Sequence, residues 1–211
     1  PGASWSSLDY FGNWKALHYF AKRFFNPLLI CIVTDEDTLR ISVVNDNDDI
    51  NNSDVLLELI DFNGNSLSKH QLSVDIHSNS SKEVFSCDIS SLLQNHSKNN
   101  VILKSSMIFE GEVLSSNDYF FVKPKELTLP KQDYSVNLEK VDNDFIIVVE
   151  SKSFLYRFYI ICFNDSGVFS DNYFNMLPGQ KIKVLYSPSN EYKNNQNFNL
   201  DFEFNSVQGL S

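Results

Sequence analysis

The sequence predicts a mainly β fold, with two immunoglobulin-like β-sandwiches in tandem preceded by a single α-helix. Three observations carry this. Beyond Pro27 the apolar residues alternate with period two in short runs separated by turn signals. Before Pro27 they recur with helical spacing instead. A length of 211 residues is generous for one sandwich of roughly 100 residues and comfortable for two.

The helix comes first. No proline interrupts Gly12 to Phe25, and Trp14, Leu17, Ala21, Phe24 and Phe25 fall at i, i+3, i+7, i+10 and i+11, one face of about three turns. Ala16, Tyr19 and Phe20 form a second apolar strip. That leaves mainly Lys15, Lys22 and Arg23 for water, so the helix expects neighbours on more than one side. Lys22 and Arg23 suit the negative end of the helix dipole, and Pro27 terminates the segment. The pattern predicts docking of its far end on the following sandwich through Phe20, Phe24 and Phe25, or pairing of two copies through the remaining stripe.

Seven strand-like runs follow, at 28–34, 38–45, 55–62, 67–76, 82–88, 101–109 and 113–122, the count of an immunoglobulin-like sandwich. "DFNGNS" at 61–66 places Asn-Gly between two alternating runs, a hairpin signal because both residues tolerate positive φ. "NDNDDINNSD" at 45–54 reads as a polar loop. It is acidic, but it lacks the spaced oxygen ligands and closing glutamate of a calcium loop. "KPKELTLPKQ" at 123–132 carries two prolines and three lysines and cannot join a central strand, so the domain boundary is expected there. Beyond it "YSVNLEKV", "DFIIVVESK", "FLYRFYIICF", "KIKVLYSP" and "NFNLDFEFNSV" predict a second, smaller sandwich, with turns at Asp142-Asn143, Asp165-Ser166-Gly167 and Pro178-Gly179. In "FSDNYF", Asp171 and Asn172 are expected to fix a corner by bonding nearby backbone. The expected division is 1–26, 27–123 and 124–211.

Composition narrows the function classes. A formal net charge of -10 opposes nucleic-acid binding, which needs clustered Lys and Arg against phosphate. The longest apolar runs are strand-sized, so no membrane-spanning helix is encoded. The sequence opens at Pro1 without Met or a signal-peptide pattern, which reads as a piece of a longer chain. Cys31, Cys87 and Cys162 lie far apart in or beside apolar runs and are expected to be buried free thiols. Asn51, Asn79, Asn95 and Asn164 each open an Asn-x-Ser triplet, the acceptor pattern for N-glycans, although chance accounts for them equally well in so Asn- and Ser-rich a chain.

Catalysis requires titratable groups gathered in a pocket. His18 sits on the helix, and His70, His77 and His96 fall in or beside polar strand and loop positions. No nucleophile elbow, zinc-protease, phosphate-loop or dinucleotide glycine pattern occurs. The 27 acids occupy loops and the polar phase of strands, the pattern of a solvated surface. Asp9 alone has an aromatic setting, between Trp5, Tyr10 and Phe11, which suits helix capping and loop packing or the lining of a sugar pocket. No catalytic residue, cofactor site or metal site is expected within the chain.

The opening "SWSSLDYFGNWKALHYFAKRFFNPLL" resembles the end of the catalytic barrel of β-mannosidases in glycoside hydrolase family 2, through Ser4-Trp5-Ser6-Ser7, Asp9-Tyr10, Gly12 to Tyr19 and Phe24-Phe25-Asn26-Pro27. "FSDNYFNMLPGQKIKVLYSP" at 169–188 resembles the C-terminal immunoglobulin-like domain of the same enzymes. The resemblance implies a five-domain exo-glycosidase whose (β/α)₈ barrel removes terminal β-linked mannose with retention, using two glutamates upstream of Pro1. It makes the helix the last piece of that barrel, Trp5 and Asp9 neighbours of the barrel mouth, and the chain's own N-terminal catalytic domains its partner. It suggests a periplasmic or secreted location in a bacterium, or a lysosomal one in a eukaryote. Two other readings stand beside it. A carbohydrate-binding module needs a row of exposed aromatics, whereas Tyr and Phe here mostly keep the inward strand phase. A purely structural adhesion-type module leaves Trp14 to Tyr19 unexplained.

Overall fold

In the computed structural model the described residues are 6–10, 12–195 and 199–210. They form two compact units, one from Phe24 to Thr128, the other from the residues up to Arg23 together with those from Leu129 onward.

The helix α1 runs from Ala16 to Phe24. It starts later than the periodicity predicts because Asp9 and Asn13, ahead of it, are bonded to each other outside any helix. The Asp9 carboxylate accepts from the Asn13 main-chain N–H and from Asn13 Nδ2, each at 2.8 Å. Gly12 takes the left-handed conformation at φ 87°, which a side chain rarely adopts.

In the first unit, β1 (Leu28–Asp35), β2 (Thr38–Asn45), β3 (Ile50–Asp61), β4 (Ser66–Ile76), β5 (Ser80–Asp88), β6 (Val101–Phe109) and β7 (Glu112–Tyr119) match the seven predicted runs. They make two antiparallel sheets, ordered β1-β2-β5 and β4-β3-β6-β7. Their inward phases, Ile30, Leu39, Ile41, Val43, Val55, Leu57, Leu59 and Leu103 among them, are essentially solvent-free and share one core. The hairpin between β3 and β4 turns at Asn63-Gly64, with Gly64 at φ 90° and the Asp61 carboxylate accepting from the N–H groups of Asn63 and Asn65 at 2.9 Å. β3 begins at Ile50 rather than inside the apolar run, since a register shift against β4 between Ile50 and Ser53 lets a polar stretch stay in the ladder. The loop left at 46–49 is tied down by Asn45, whose Nδ2 donates to the Asp48 carbonyl at 2.8 Å. A short helix, α2 (Ile89–Leu93), buries Ile89, Leu92 and Leu93.

The second unit pairs β8 (Tyr134–Val141), β9 (Asp144–Ser151), β11 (Val168–Phe169) and β13 (Lys181–Ser187) in the order β11-β13-β9-β8. Its second sheet is β12-β10-β14, from β10 (Leu155–Cys162), β12 (Phe174–Met176) and β14 (Phe202–Asn205). The core between them is aromatic, with Phe158, Phe174, Tyr186 and Phe169 buried beside Ile147, Val149 and Met176. In β10 the register slips between Leu155 and Phe158, and Arg157 is left-handed at φ 50°. The helix α3 (Asn190–Asn194) follows β13. The three cysteines are free but half-buried rather than buried, and burial pushes each thiol up.

Candidate functional site: the helix dock

In the second unit α1 packs on its own sandwich, and a cavity lies beside that contact. The predicted docking on the following sandwich through Phe20, Phe24 and Phe25 is corrected here: the helix seats on the second sandwich, where Phe20 takes part beneath Arg157 but Phe24 and Phe25 do not carry the contact. Tyr19, from the other strip, is the helix residue driven to 2% exposure and into the aromatic core, while Phe24 and Phe25 stand 48% and 77% exposed and pack on each other. A helix that is apolar on two sides buries the side with the deeper complement. Tyr19 finds Trp14 at 5.4 Å and Tyr173 at 5.9 Å between ring centroids. Burial pushes its hydroxyl up to about 12, with partial relief from the Phe169 main chain and the Asn172 side chain.

The last turn of α1 supplies a latch. Arg23 Nη2 donates to Asp171 Oδ1 and to the Asn172 carbonyl, both at 2.5 Å, and Nη1 donates to the Tyr173 carbonyl at 3.3 Å. Lys22 Nζ donates to the Ser170 carbonyl at 3.0 Å. Phe20 lies beneath both Arg23 and Arg157, at 5.4 and 5.0 Å from its ring centre. Asn172 supports the receiving loop. Only 2% exposed, it accepts from the Ile160 N–H at 2.9 Å and donates to the Ile160 carbonyl at 2.8 Å, pairing as a strand residue would. Asp171 and Asn172 therefore act on the corner as the sequence predicts.

Behind the dock Asp165 organises a second network. It accepts from the Tyr186 hydroxyl at 2.6 Å, the Ser189 N–H at 3.0 Å and the Ser189 hydroxyl. Burial alone would raise this carboxyl, but the bonds from Ser189 and Tyr186 outweigh it and hold the group below the usual carboxylate range. Tyr186 is pushed far up, first by burial and then by the Asp165 contact. Gly167 has no room for a side chain, since a Cβ would meet the Ser187 carbonyl and the Tyr186 ring at 2.5 Å.

Between helix and sandwich lies a cavity of about 280 Å³, lined among others by Asp9, Trp14, Tyr19, Cys162, Asp165 and Tyr173. Its composition resembles that of a sugar pocket, but Asp9, Asp165 and Asn172 are already bonded to their own fold. Trp5, the other residue named for the barrel mouth, lies outside the described residues. Asp49, Asp61 and Asp165 are each lowered. A glycosidase acid needs the opposite shift, to remain protonated near neutrality. No group of three or more His, Cys, Asp or Glu among the described residues is placed to hold a metal ion. No described helix is long and apolar enough to cross a membrane.

The latch was missed in the sequence because Arg23 and Asp171 are 148 residues apart. Gly167 was legible only as a turn residue.

This is the architecture of a tandem of mannosidase immunoglobulin-like domains. Residues 37–126 match the mannosidase Ig/CBM-like domain family, and residues 128–208 match the Ig-fold domain family. A β-mannosidase of Mus musculus is 27% identical over 192 residues, covering 88% of this chain and 22% of that protein. The β-D-mannosidase of Dictyoglomus thermophilum superposes with a TM-score of 0.75 at 20% identity, over 97% of this chain and 24% of that one. An exo-chitosanase of Amycolatopsis orientalis shares the fold, with a TM-score of 0.71 at 11% identity over 96% of this chain and 28% of that one. The chain belongs to the C-terminal region of the β-mannosidases of glycoside hydrolase family 2, and it spans about a fifth of the length of the curated relatives it matches.

Proposed function

We propose that this chain is the non-catalytic C-terminal brace of an exo-acting β-mannosidase, the whole enzyme hydrolysing terminal non-reducing β-D-mannose residues with retention. The observation that carries the reading is the likeness of nearly the whole chain to one fifth of a β-mannosidase, a fifth made of immunoglobulin-like domains. In this reading residues 1–26 end the catalytic barrel, and 27–123 and 124–211 are the two accessory sandwiches. Tyr19 and Arg23 fasten the barrel's last helix to the second sandwich. The stripe Leu17, Ala21 and Phe24, with Leu17 50% exposed, is the face offered to the rest of the barrel. Freed from that cover, the same stripe pairs two copies of the chain.

The test compares three proteins on an aryl β-mannoside: the chain alone, the whole polypeptide, and the whole polypeptide cut before Leu28. We expect no turnover from the first, turnover from the second, and a third that melts well below the second. Activity of the repurified chain alone, or a whole polypeptide that cleaves a β-glucosaminide in preference to the mannoside, refutes the proposal.

The carbohydrate-binding reading finds weak support, because the most exposed aromatics, Tyr10, Phe25 and Phe163, lie in a turn, beyond a helix and beyond a strand end rather than along one sheet face. Saturable binding of manno-oligosaccharide to the chain would restore it.

A further inference from the structure

We propose that Asn95 is an acceptor for an N-linked glycan. The four Asn-x-Ser triplets are equivalent in sequence, and the fold separates them. Asn164 is exposed, but its Nδ2 donates to the Asn199 carbonyl at 2.8 Å and its Oδ1 accepts from the Asp201 N–H at 2.8 Å, so it staples the end of β10 to the segment before β14. Asn51 lies within β3, and the serine of its triplet, Ser53, is wholly buried with its hydroxyl donating to the Val74 carbonyl at 2.8 Å. Asn79 is an exposed turn residue, but its Nδ2 donates to Ser78 Oγ at 2.8 Å, and Ser80 and Ser81 are already laid into β5 opposite Asn45 and Val44.

Asn95 differs in each respect. It follows α2, where Gln94 turns left-handed at φ 50° and the His96 N–H caps the Leu93 carbonyl at 2.8 Å. Ile89, Leu92 and Leu93 anchor that helix in the core, so the turn beyond them stands clear of the sheets. Asn95, His96 and Ser97 are all exposed and outside any strand. The Asn95 amide makes no hydrogen bond among the described residues, and Ser97 bonds only locally, to Asn99 Oδ1 at 2.5 Å. Both groups that a transferase engages, the amide and the hydroxyl two residues on, are therefore presented together.

The donor class is a lipid-pyrophosphate-linked oligosaccharide. Asn95 Nδ2 bonds to the anomeric carbon, the bond from that carbon to the pyrophosphate oxygen breaks, the lipid pyrophosphate leaves with the electron pair, and the amide nitrogen gives up one proton. Nothing is oxidised or reduced.

The chain is translocated into eukaryotic microsomes behind a signal sequence and recovered from the protease-protected fraction. Peptide N-glycosidase in heavy-oxygen water, followed by peptide mass mapping, then reads occupancy at each triplet. The expected result is conversion of Asn95 to heavy-oxygen-labelled aspartate, several-fold above Asn51 and Asn164. The label should vanish in Asn95→Gln and in Ser97→Ala, with both variants melting like the parent. Protected chain without label at Asn95, or occupancy at Asn51 or Asn164 equal to that at Asn95, overturns the proposal.

Discussion

Arg23, in the last turn of the leading helix, meets the carboxylate of Asp171 at 2.5 Å while the same guanidinium caps the carbonyls of Asn172 and Tyr173. The ion pair itself is partly exposed, 36% on one side and 46% on the other, so its share of the stability is small, about 0.2–1 kcal/mol. The carbonyl bonds carry more. Arg23→Ala is expected to cost about 1–3 kcal/mol and Asp171→Ala clearly less, with added salt eroding only the difference attributable to the pair. Urea denaturation of both single variants and the double variant checks this, and equal losses would place the latch in the ion pair instead.

Asn172 is the more sensitive half of the corner. Asn172→Ala strands a buried N–H and a buried carbonyl of Ile160, at a cost of about 1–3 kcal/mol. Asn172→Asp keeps the acceptor but loses the donor, so it is expected to lie between Ala and the parent. Thermal melts of the three proteins read the order directly.

Gly167→Ala should destabilise the second unit by about 1–3 kcal/mol, since the added methyl overlaps main chain as well as the Tyr186 ring and cannot be relieved by a side-chain rotation. Gly179→Ala is the comparison, with open space around its Cβ but φ at 81°. A Gly167→Ala protein whose near-ultraviolet dichroism matches the parent and which melts with it would show that β13 yields easily.

The pH response should be polarised between the units. Tyr19, Tyr134, Tyr156, Tyr159, Tyr173 and Tyr186, all in the second unit, are raised, with burial the leading cause in each. A tyrosine that is raised in the folded state binds its proton more tightly there than in the unfolded chain. The stability tied to it is whole below the ordinary value near 10 and is lost as pH climbs, for Tyr19 between about 10 and 12. Asp165 and Asp61 are lowered, so their contribution is present above about pH 4 and disappears as pH falls below it. Tyrosinate absorbance and near-ultraviolet dichroism between pH 9 and 12, for the parent and Tyr19→Phe, should show (roughly) a shallower loss in the variant.

The exposed stripe predicts self-association of the chain when it stands alone. Leu17→Ser with Phe24→Ser should shift sedimentation toward monomer without lowering the melting temperature, because both residues face water rather than the core. A parent that is already monomeric at high concentration ends this expectation.

The strands of the first unit were legible in number and order because each carries a short run of alternating or continuous apolar residues between turn signals. β11 and β12 were not, since runs of two and three residues carry no period. The start of β3 was hidden by polar side chains in a strand end whose ladder tolerates a bulge. The helix was legible but its buried face was not, because two apolar strips compete and only the tertiary complement decides between Tyr19 and the Leu17–Phe24 side. The latch joins residues whose neighbours give no hint of one another, so no local pattern could have shown it.

The pairing of Arg23 with Asp171 also fixes an order of events during synthesis. The helix leaves the ribosome before its receptor and has no seat until residues 145–173 have emerged, by which time the unit from Phe24 to Thr128 has been made in full. Tyr19 and its aromatic neighbours therefore wait uncovered while the whole unit from Phe24 to Thr128 is made, exposed to chaperones and to misplaced partners. A premature stop between the two sandwiches would leave that helix permanently without its seat, and a nascent chain arrested there is the species in which proteolysis of the leading segment should be fastest.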